Sequence, residues 1–329
     1  MFLLLPASLF LNFFFSVVTD FQTFKITGYA QGTSYQINYY HRTELIKKPE
    51  IEELLRRLDS SLSIYKSYSL ISKFNSSPTG IKADKHLAVV VKKSLKIYKE
   101  TQGAFDITVQ PLVQVWGFGP EKPPSIPDSG TIKNILTCVG SDKISLKSGF
   151  LQKKKECVGI DVNGIAQGYS VDVIAGYLHR KGIKNFLVEI GGEIAVQGKK
   201  PSGEFMTIGI EGPGEEANNT IQTKIKIEKG AVTTSGNYRK FYQSGGKKIS
   251  HLINPKTGYS LQNEMISVTV YAKNAITADG YDNALMGMGI EKSFEFLERH
   301  KKLEAYFIYK KPDGTVADTA SSGFYKLFK

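Results

Sequence analysis

One helical stretch of the sequence carries three oxygen-bearing side chains at a spacing that suits a metal ion. In the stretch Thr277-Ala-Asp279-Gly-Tyr-Asp282-Asn283, Asp282 lies three residues after Asp279 and Asn283 lies four residues after Asp279. Residues three and four apart share one face of a helix, and Mg²⁺ prefers oxygen ligands. The pattern indicates a Mg²⁺ site. The alternative is a pair of carboxylates that only complement the dipole at the start of a helix.

A second candidate is the stretch that begins Gly159-Ile-Asp161-Val-Asn163-Gly164. Its apolar start predicts the end of a strand, its Asp, Asn and Gly residues favour a turn, and a helical pattern follows from Ile165. Free N–H groups and the helix dipole make such a junction a natural anion site. The carboxylate of Asp161 could hold a ligand hydroxyl or a cation. The plain alternative is an ordinary strand-to-helix turn.

His251 is the third candidate, in a chain with only 5 histidines. It stands where a predicted strand meets the turn Asn254-Pro-Lys-Thr-Gly258. An imidazole titrates near neutral pH, so this side chain could act as a general base. A purely structural histidine is the alternative.

The elements that must position these residues follow from the hydrophobic periodicity. Strands and helices mix without strict βαβ alternation, which predicts an α+β fold of mixed and antiparallel strands with packed helices. The segment 63–79 is polar and 120–130 is proline-rich, so neither predicts a regular element. We predict strands within 24–40, 143–161, 186–190, 205–210, 221–227, 231–235, 248–253, 266–271 and 305–309, and a final strand after the Asp313-Gly314 turn. Helices are predicted over 49–62, 87–100, 275–288 and 291–300.

Composition limits the partners of the chain. The 329 residues carry a net charge of +12, with lysines scattered along the sequence. Because basic and aromatic residues do not alternate along one element, we expect no nucleic-acid partner. An anionic membrane surface or a phosphorylated ligand suits this charge better. Cys138 and Cys157 lack the spacing of a metal site, and whether they pair stays open.

Residues 2–18 form a strongly apolar run. The run is marginal in length for a bilayer span, and no basic residue precedes it. We interpret residues 1–20 as a signal peptide or membrane anchor. The alternative is a buried segment of the core.

Taken in order, several motifs resemble those of the ApbE family of FAD:protein FMN transferases. They are GAFDITV followed by WGFG, IDVNGIAQGYSVD, VEIGGEIAVQG, TTSGNYRKF, SHLINPKTGYS and TADGYDNALMGMG. The resemblance implies one α+β catalytic unit over 21–329 that binds FAD as a substrate and Mg²⁺ as a cofactor. It also implies Mg²⁺-dependent transfer of FMN to a threonine hydroxyl of an acceptor flavoprotein, which forms a phosphoester and releases AMP.

The resemblance assigns roles to individual residues. His251 would take the proton of the acceptor hydroxyl. Mg²⁺ would be held by the main-chain carbonyl of Gly164 and the side chains of Asp279, Asp282 and Asn283. The residues expected to contact FAD are Gln31, Tyr65, Ala104, Phe105, Asp106, Asp161, Gln167 and Ile253.

Three positions depart from the family pattern. Gln167 stands where the family often has Lys or Glu, Asn283 replaces the usual Thr, and Asn254 replaces the usual Asp. Because an asparagine still offers a neutral oxygen ligand, we expect Mg²⁺ binding to survive at position 283.

The family's acceptors include subunits of membrane redox complexes on the outer side of the inner membrane. The resemblance therefore implies an exported enzyme on the periplasmic side of the bacterial inner membrane, either tethered to it or released. Two other activities would suit the same residues. One is an FAD pyrophosphatase that yields FMN and AMP, and the other is a flavin-binding protein without catalytic activity.

Overall fold

The computed structural model describes residues 21–121, 125–212, 221–238, 241–244 and 247–328. The signal or anchor predicted over 1–20 lies outside the described residues. The strands of the described part are β1 (Gln22–Ala30), β2 (Thr33–His41), β3 (Gly80–Lys82), β4 (Ile144–Lys147), β5 (Phe150–Lys153), β6 (Asn185–Ile190), β7 (Glu193–Gln197), β8 (Met206–Glu211), β9 (Ile221–Ile227), β10 (Lys229–Gly236), β11 (Phe241–Ser244), β12 (Lys247–Ser250), β13 (Met265–Ala272), β14 (Glu304–Lys310) and β15 (Val316–Ala320).

The α-helices fall between these strands. In the described residues they are α1 (Lys48–Leu62), α2 (Leu70–Ser76), α3 (Lys85–Glu100), α4 (Gln110–Val115), α5 (Ser129–Leu136), α6 (Asn163–Arg180), α7 (Ala275–Met288), α8 (Ile290–Arg299) and α9 (Ser322–Tyr325). Short 3₁₀ turns cover Ile107–Val109, Ser141–Lys143 and Lys326–Phe328.

An eight-stranded sheet in the order β1-β2-β6-β7-β10-β13-β14-β15 forms the centre of the molecule. Every neighbouring pair in it is antiparallel. Smaller sheets join β3-β5-β4, β8-β9 and β11-β12. The predicted α+β class with antiparallel strands and packed helices is confirmed.

The two faces of the central sheet bury different cores. Side chains alternate across a strand, so Ala231 packs with the helices on one face while its neighbour Val232 packs with β8 and β9 on the other. Phe307 and Ile308 divide in the same way. Helices α6 and α7 therefore lie against one face of the sheet, where α6 contacts β6 and β7, and α7 contacts β10 and β13.

The predicted helices form where their apolar residues can be buried. On α1, Ile51, Leu55 and Leu58 share the buried face, and Pro49 near its start suits a position that needs no N–H partner. The short helix α2 is absent from the prediction because only Ile71 and Phe74 of its residues are buried, too few for a periodic signal.

Two further observations concern the cysteines and the membrane. Cys138 and Cys157 form a disulfide with their Cα atoms 5.6 Å apart, which settles the pairing that the sequence left open. None of the helices in the described part of the chain has the length and apolar character needed to span a bilayer.

Candidate active site

A cavity of about 940 Å³ opens between α6, α7, the β1–β2 turn and the loop after β12. Every residue to which the sequence assigned a role lines this cavity: Gln31, Tyr65, Ala104, Phe105, Asp106, Asp161, Gly164, Gln167, His251, Ile253, Asp279, Asp282 and Asn283. The structure thus brings together residues that are as far apart in the chain as Gln31 and Asn283. The chemical role of each stays a prediction.

The acidic end of the cavity is built on α7. This helix begins at Ala275 and has no acidic residue in its first turn. Asp279 and Asp282 therefore lie beyond the reach of a simple dipole effect, and only 3% and 1% of their surfaces are exposed. Both carboxylates line the cavity together with Asn283, as their spacing on one helical face requires.

Helix α6 packs closely against this end of α7. The N–H of Gly168 donates a hydrogen bond to Oδ2 of Asp279 at 2.8 Å. A Cβ atom at Gly168 would lie 2.5 Å from the carbonyl oxygen of Ala275 and 2.7 Å from Cβ of Asp279. Glycine is therefore required at position 168 for the approach of the two helices.

The side-chain amide of Asn283 connects the predicted metal ligands. Its Nδ2 donates to the carbonyl of Gly164 at 3.3 Å and to Oδ1 of Asp282 at 2.8 Å. Its Oδ1 accepts a hydrogen bond from the hydroxyl of Ser235 at 3.2 Å. The NH₂ group of Asn283 thus points at two oxygens that could also bind a cation. If the amide rotated by 180°, its oxygen would point to the same place and could bind the cation as well.

Burial makes the two aspartates hard to ionise. Burial first, and the charge of Asp172 second, raise the pKa of Asp279 to about 7. Burial first, and the charge of Asp279 second, raise the pKa of Asp282 well above its usual value. No ion pair of the described residues includes either carboxylate. A bound cation would offset the cost of burying the two negative charges and would reduce the repulsion between them.

The donor set therefore suits Mg²⁺ chemically. It combines two carboxylates, an amide and a main-chain carbonyl, all of them oxygen ligands of the kind that hard cations prefer. In the described part of the chain, no three His, Cys, Asp or Glu side chains converge as a metal site. The predicted site does not need such a cluster, because two of its four ligands are an amide and a main-chain carbonyl.

The turn that leads into α6 lines another part of the cavity. Residues 158–162 before it form no strand, so the predicted strand end is wrong, whereas the predicted turn is present. Oδ1 of Asp161 accepts the N–H of Asn163 at 2.8 Å, which fixes the turn that opens α6. The side chain of Asn75 pairs with both main-chain groups of Ile160, at 2.7 Å and 3.0 Å. The ring of Tyr65 stands at the rim with 57% of its surface exposed, where it is available to a planar ligand.

Asp106 lines the cavity, but protein donors already surround its carboxylate. It accepts hydrogen bonds from the N–H and hydroxyl of Thr108 at 2.8 Å and 2.6 Å. It also accepts from the N–H and hydroxyl of Ser141 at 3.1 Å and 2.6 Å. Its geometry supports the backbone of the wall that Ala104 and Phe105 continue.

Two glutamines complete the side of the cavity near the sheet. Gln31 and Gly32 have φ angles of 54° and 77° and form the tight turn between β1 and β2. Nε2 of Gln31 donates to the hydroxyl of Ser170 at 3.0 Å, which ties this turn to α6. Gln167 lies against Gly191, where an added Cβ would come within 2.3 Å of its Nε2.

His251 follows β12, and its ring meets the edge of Phe118 with the ring centres 6.3 Å apart. Three residues later, Oδ1 of Asn254 accepts the N–H groups of Lys256 and Thr257 at 2.8 Å and 3.2 Å. Asn254 thus builds the turn beside His251 and lines a separate crevice of about 350 Å³. An aspartate could accept the same bonds, so the departure at 254 leaves the geometry of the turn intact.

Comparison with known proteins places this geometry in context. A family model described as the ApbE family matches residues 31–307. The FAD:protein FMN transferase of Haemophilus influenzae is 35% identical over 317 residues, which cover 92% of this chain and 90% of that protein. The FAD:protein FMN transferase of Vibrio cholerae is 34% identical over 306 residues and covers 91% of each chain.

Solved structures give the same result. The flavin transferase ApbE from Vibrio cholerae superimposes with a TM-score of 0.85 at 33% identity, covering 93% of this chain and 99% of that one. The apo form of the Pseudomonas stutzeri flavinyl transferase ApbE has a TM-score of 0.84 at 31% identity, with 94% and 97% covered. Sequence and fold thus agree on one group of relatives.

Proposed function

Because the chain belongs to the ApbE family, we propose that it is an enzyme that transfers FMN from FAD to an acceptor protein. The observation that carries this proposal is the convergence of all the predicted site residues on one cavity, with buried carboxylates at one end and His251 in its wall. A cavity of about 940 Å³ also lies within the usual range for small-molecule and cofactor sites, about 300–1,000 Å³.

In the proposed reaction, the acceptor is a threonine hydroxyl. Its oxygen forms a bond to the phosphorus of the FMN moiety while the bond from that phosphorus to the oxygen of AMP breaks. His251 takes the proton of the hydroxyl, and AMP leaves with the bridging oxygen. The products are a phosphoester between FMN and threonine, and free AMP.

Four groups would hold Mg²⁺: the carboxylates of Asp279 and Asp282, the amide oxygen of Asn283 and the carbonyl of Gly164. Bound Mg²⁺ would neutralise charge on the pyrophosphate. The protein contributes the packing of α6 and α7, which fixes these ligands before the substrate binds. The positive end of the α6 dipole would further stabilise the charge of the phosphates.

We also propose that the enzyme acts on the periplasmic side of the bacterial inner membrane, tethered or released, on subunits of membrane redox complexes. The apolar run over 2–18 supports export. The disulfide between Cys138 and Cys157 supports it independently, since disulfides persist mainly in oxidising compartments. Fractionation of cells that express the full gene tests this. Activity confined to the cytoplasm, with residues 2–18 retained, would contradict it.

One assay tests the proposed activity against both alternatives. The protein is incubated with FAD, Mg²⁺ and a flavoprotein acceptor domain, and a second sample contains the acceptor with its threonine changed to alanine. We expect covalent flavin on the intact acceptor only, with one AMP released per flavin attached. Free FMN with both acceptors would identify an FAD pyrophosphatase. Unchanged FAD in both samples would indicate a flavin-binding protein without catalytic activity.

A further inference from the structure

A carboxylate outside the predicted site joins the two helices that form its acidic end. Asp172 lies on α6, and its Oδ1 and Oδ2 accept the N–H groups of Ala275 and Ile276, each at 2.8 Å. These are the first two residues of α7. The residue at the N-cap position of α7, Asn274, makes no side-chain hydrogen bond to cap the helix. Asp172 therefore caps α7 from a neighbouring helix.

We propose that Asp172 is a positioning residue that sets the register of α7 against α6, and so holds the Mg²⁺ ligands of the two helices together. This inference rests on the proposed function, because it concerns the metal site of that reaction. Asp172 itself does not line the cavity, so it acts through the placement of α7.

The contacts between the helices form a regular antiparallel ladder. Asp172 faces Ala275, Gly168 bonds to Asp279, and the carbonyl of Gly164 accepts from Asn283. Each step of four residues back along α6 matches a step of four residues forward along α7. Asp172 makes the first rung, and the predicted metal ligands Gly164 and Asn283 make the last. If the loss of the Asp172 contact lets α7 slide or rotate against α6, the distance between Gly164 and Asn283 changes as well.

The middle rung leaves little freedom to absorb such a change. Gly168 lies so close to α7 that a Cβ atom would overlap Ala275 and Asp279, so the helices already touch backbone to backbone. At this anchor the carboxylate of Asp172 accepts two hydrogen bonds from N–H groups at the positive end of the α7 dipole. Charge-assisted bonds of this kind are about twice as strong as neutral ones.

The surroundings of Asp172 are consistent with this role. Burial raises the pKa of Asp172 to about 6, and the two N–H groups of α7 and the charge of Lys93 oppose that rise. The carboxylate is thus mostly ionised at neutral pH in spite of its burial. Both oxygens of this carboxylate accept hydrogen bonds from the start of α7, as expected for an anchor of that helix.

Glu264 provides a matched control, because its carboxylate contacts the start of the next helix, α8. Oε1 of Glu264 accepts the N–H of Ile290 at 2.8 Å at the start of α8, which carries no predicted ligand. Asp172→Asn and Glu264→Gln remove the same charge and weaken the same kind of cap. Mg²⁺ binding is measured by calorimetry without acceptor, and FAD binding in EDTA is followed by flavin fluorescence.

We expect Asp172→Asn to weaken Mg²⁺ binding by about 10-fold or more, the usual range for residues that orient metal ligands. FAD binding in EDTA should stay unchanged, and Glu264→Gln should bind Mg²⁺ as the wild type does. Equal Mg²⁺ affinities for all three proteins would overturn the proposal, as would equal losses in both variants. A wild type that binds no Mg²⁺ would overturn it as well.

Hydrogen exchange on the wild type provides a test that needs no variant. Coupling between two sites is reciprocal, so Mg²⁺ should slow exchange at the amides of Ala275 and Ile276 and leave that of Ile290 unchanged. If Asp172→Asn does not fold, this measurement decides, and unaltered exchange at 275 and 276 would refute the proposal. Failure of FMN transfer with intact Mg²⁺ binding would refute the proposed function alone.

Discussion

Replacing Asp279 by asparagine should stabilise the protein in EDTA while it removes Mg²⁺ binding. The pKa of Asp279 is raised from 3.8 to about 7, mainly by burial. Folding at pH 8 therefore forces an ionised carboxylate into a site that favours the neutral form. The difference between the two pKa values, at about 1.4 kcal/mol per pH unit, sets an upper limit of about 4 kcal/mol on the gain.

Part of this gain is lost because the new amide carries N–H donors. The N–H of Gly168 can still donate to the asparagine oxygen, as it does to Oδ2 of Asp279. The new NH₂ group has to find an acceptor, and a buried donor without one costs about 1–3 kcal/mol. We expect Asp279→Asn to raise the free energy of unfolding by about 1–3 kcal/mol at pH 8 without metal.

The pH dependence follows from the direction of the pKa shift. Because the folded-state pKa is raised, the destabilising effect of Asp279 is absent well below pH 3.8, where the group is protonated in both states, and is small at pH 4. It increases as the pH rises and is complete above about pH 7. The advantage of Asp279→Asn over the wild type should therefore be small at pH 4.

Urea unfolding at pH 4 and pH 8, in EDTA and in Mg²⁺, measures all of this. The exposed Glu291 provides the control, since Glu291→Gln removes one charge without burial. Mg²⁺ should stabilise the wild type and Glu291→Gln by mass action and have no effect on Asp279→Asn. A variant that is less stable than the wild type in EDTA at pH 8, or that Mg²⁺ stabilises equally, would refute this reasoning.

Three other changes test separate parts of the structure. We expect His251→Ala to lower the rate of FMN transfer by about 10²–10⁴-fold with unchanged FAD binding in equilibrium titrations; a loss confined to binding would make His251 structural. Gly168→Ala should destabilise the fold by about 1–3 kcal/mol and weaken Mg²⁺ binding. Gly176→Ala on the same helix is the control and should have neither effect, because an added Cβ there meets only Arg180 at 3.4 Å. Reduction of the disulfide, which joins residues 19 apart, should lower the free energy of unfolding by about 3 kcal/mol; an unchanged urea midpoint after reduction would contradict this.

The elements with strong periodicity could be predicted from the sequence, and the distances between them could not. The predicted helix over 275–288 matches α7 because its pattern is long and a glycine ends it. By contrast, the contact between Gly168 and Asp279 joins residues 111 apart, and no local pattern encodes it. The anchor at Asp172 is missed for the same reason, since an aspartate within a helix normally indicates an exposed face.

The same limit explains why the sequence does not show which aspartates of the cavity have their charge compensated by the protein. Asp106 and Asp279 are both buried beside it, with 7% and 3% of their surfaces exposed. Asp106 accepts four hydrogen bonds from Thr108 and Ser141, so the protein itself compensates its charge. In the described residues, Asp279 accepts one hydrogen bond, from Gly168, and lies beside a second buried carboxylate. The proposed cation would therefore compensate charge at Asp279, a role that the protein itself fills at Asp106, and only the folded arrangement of donors distinguishes the two.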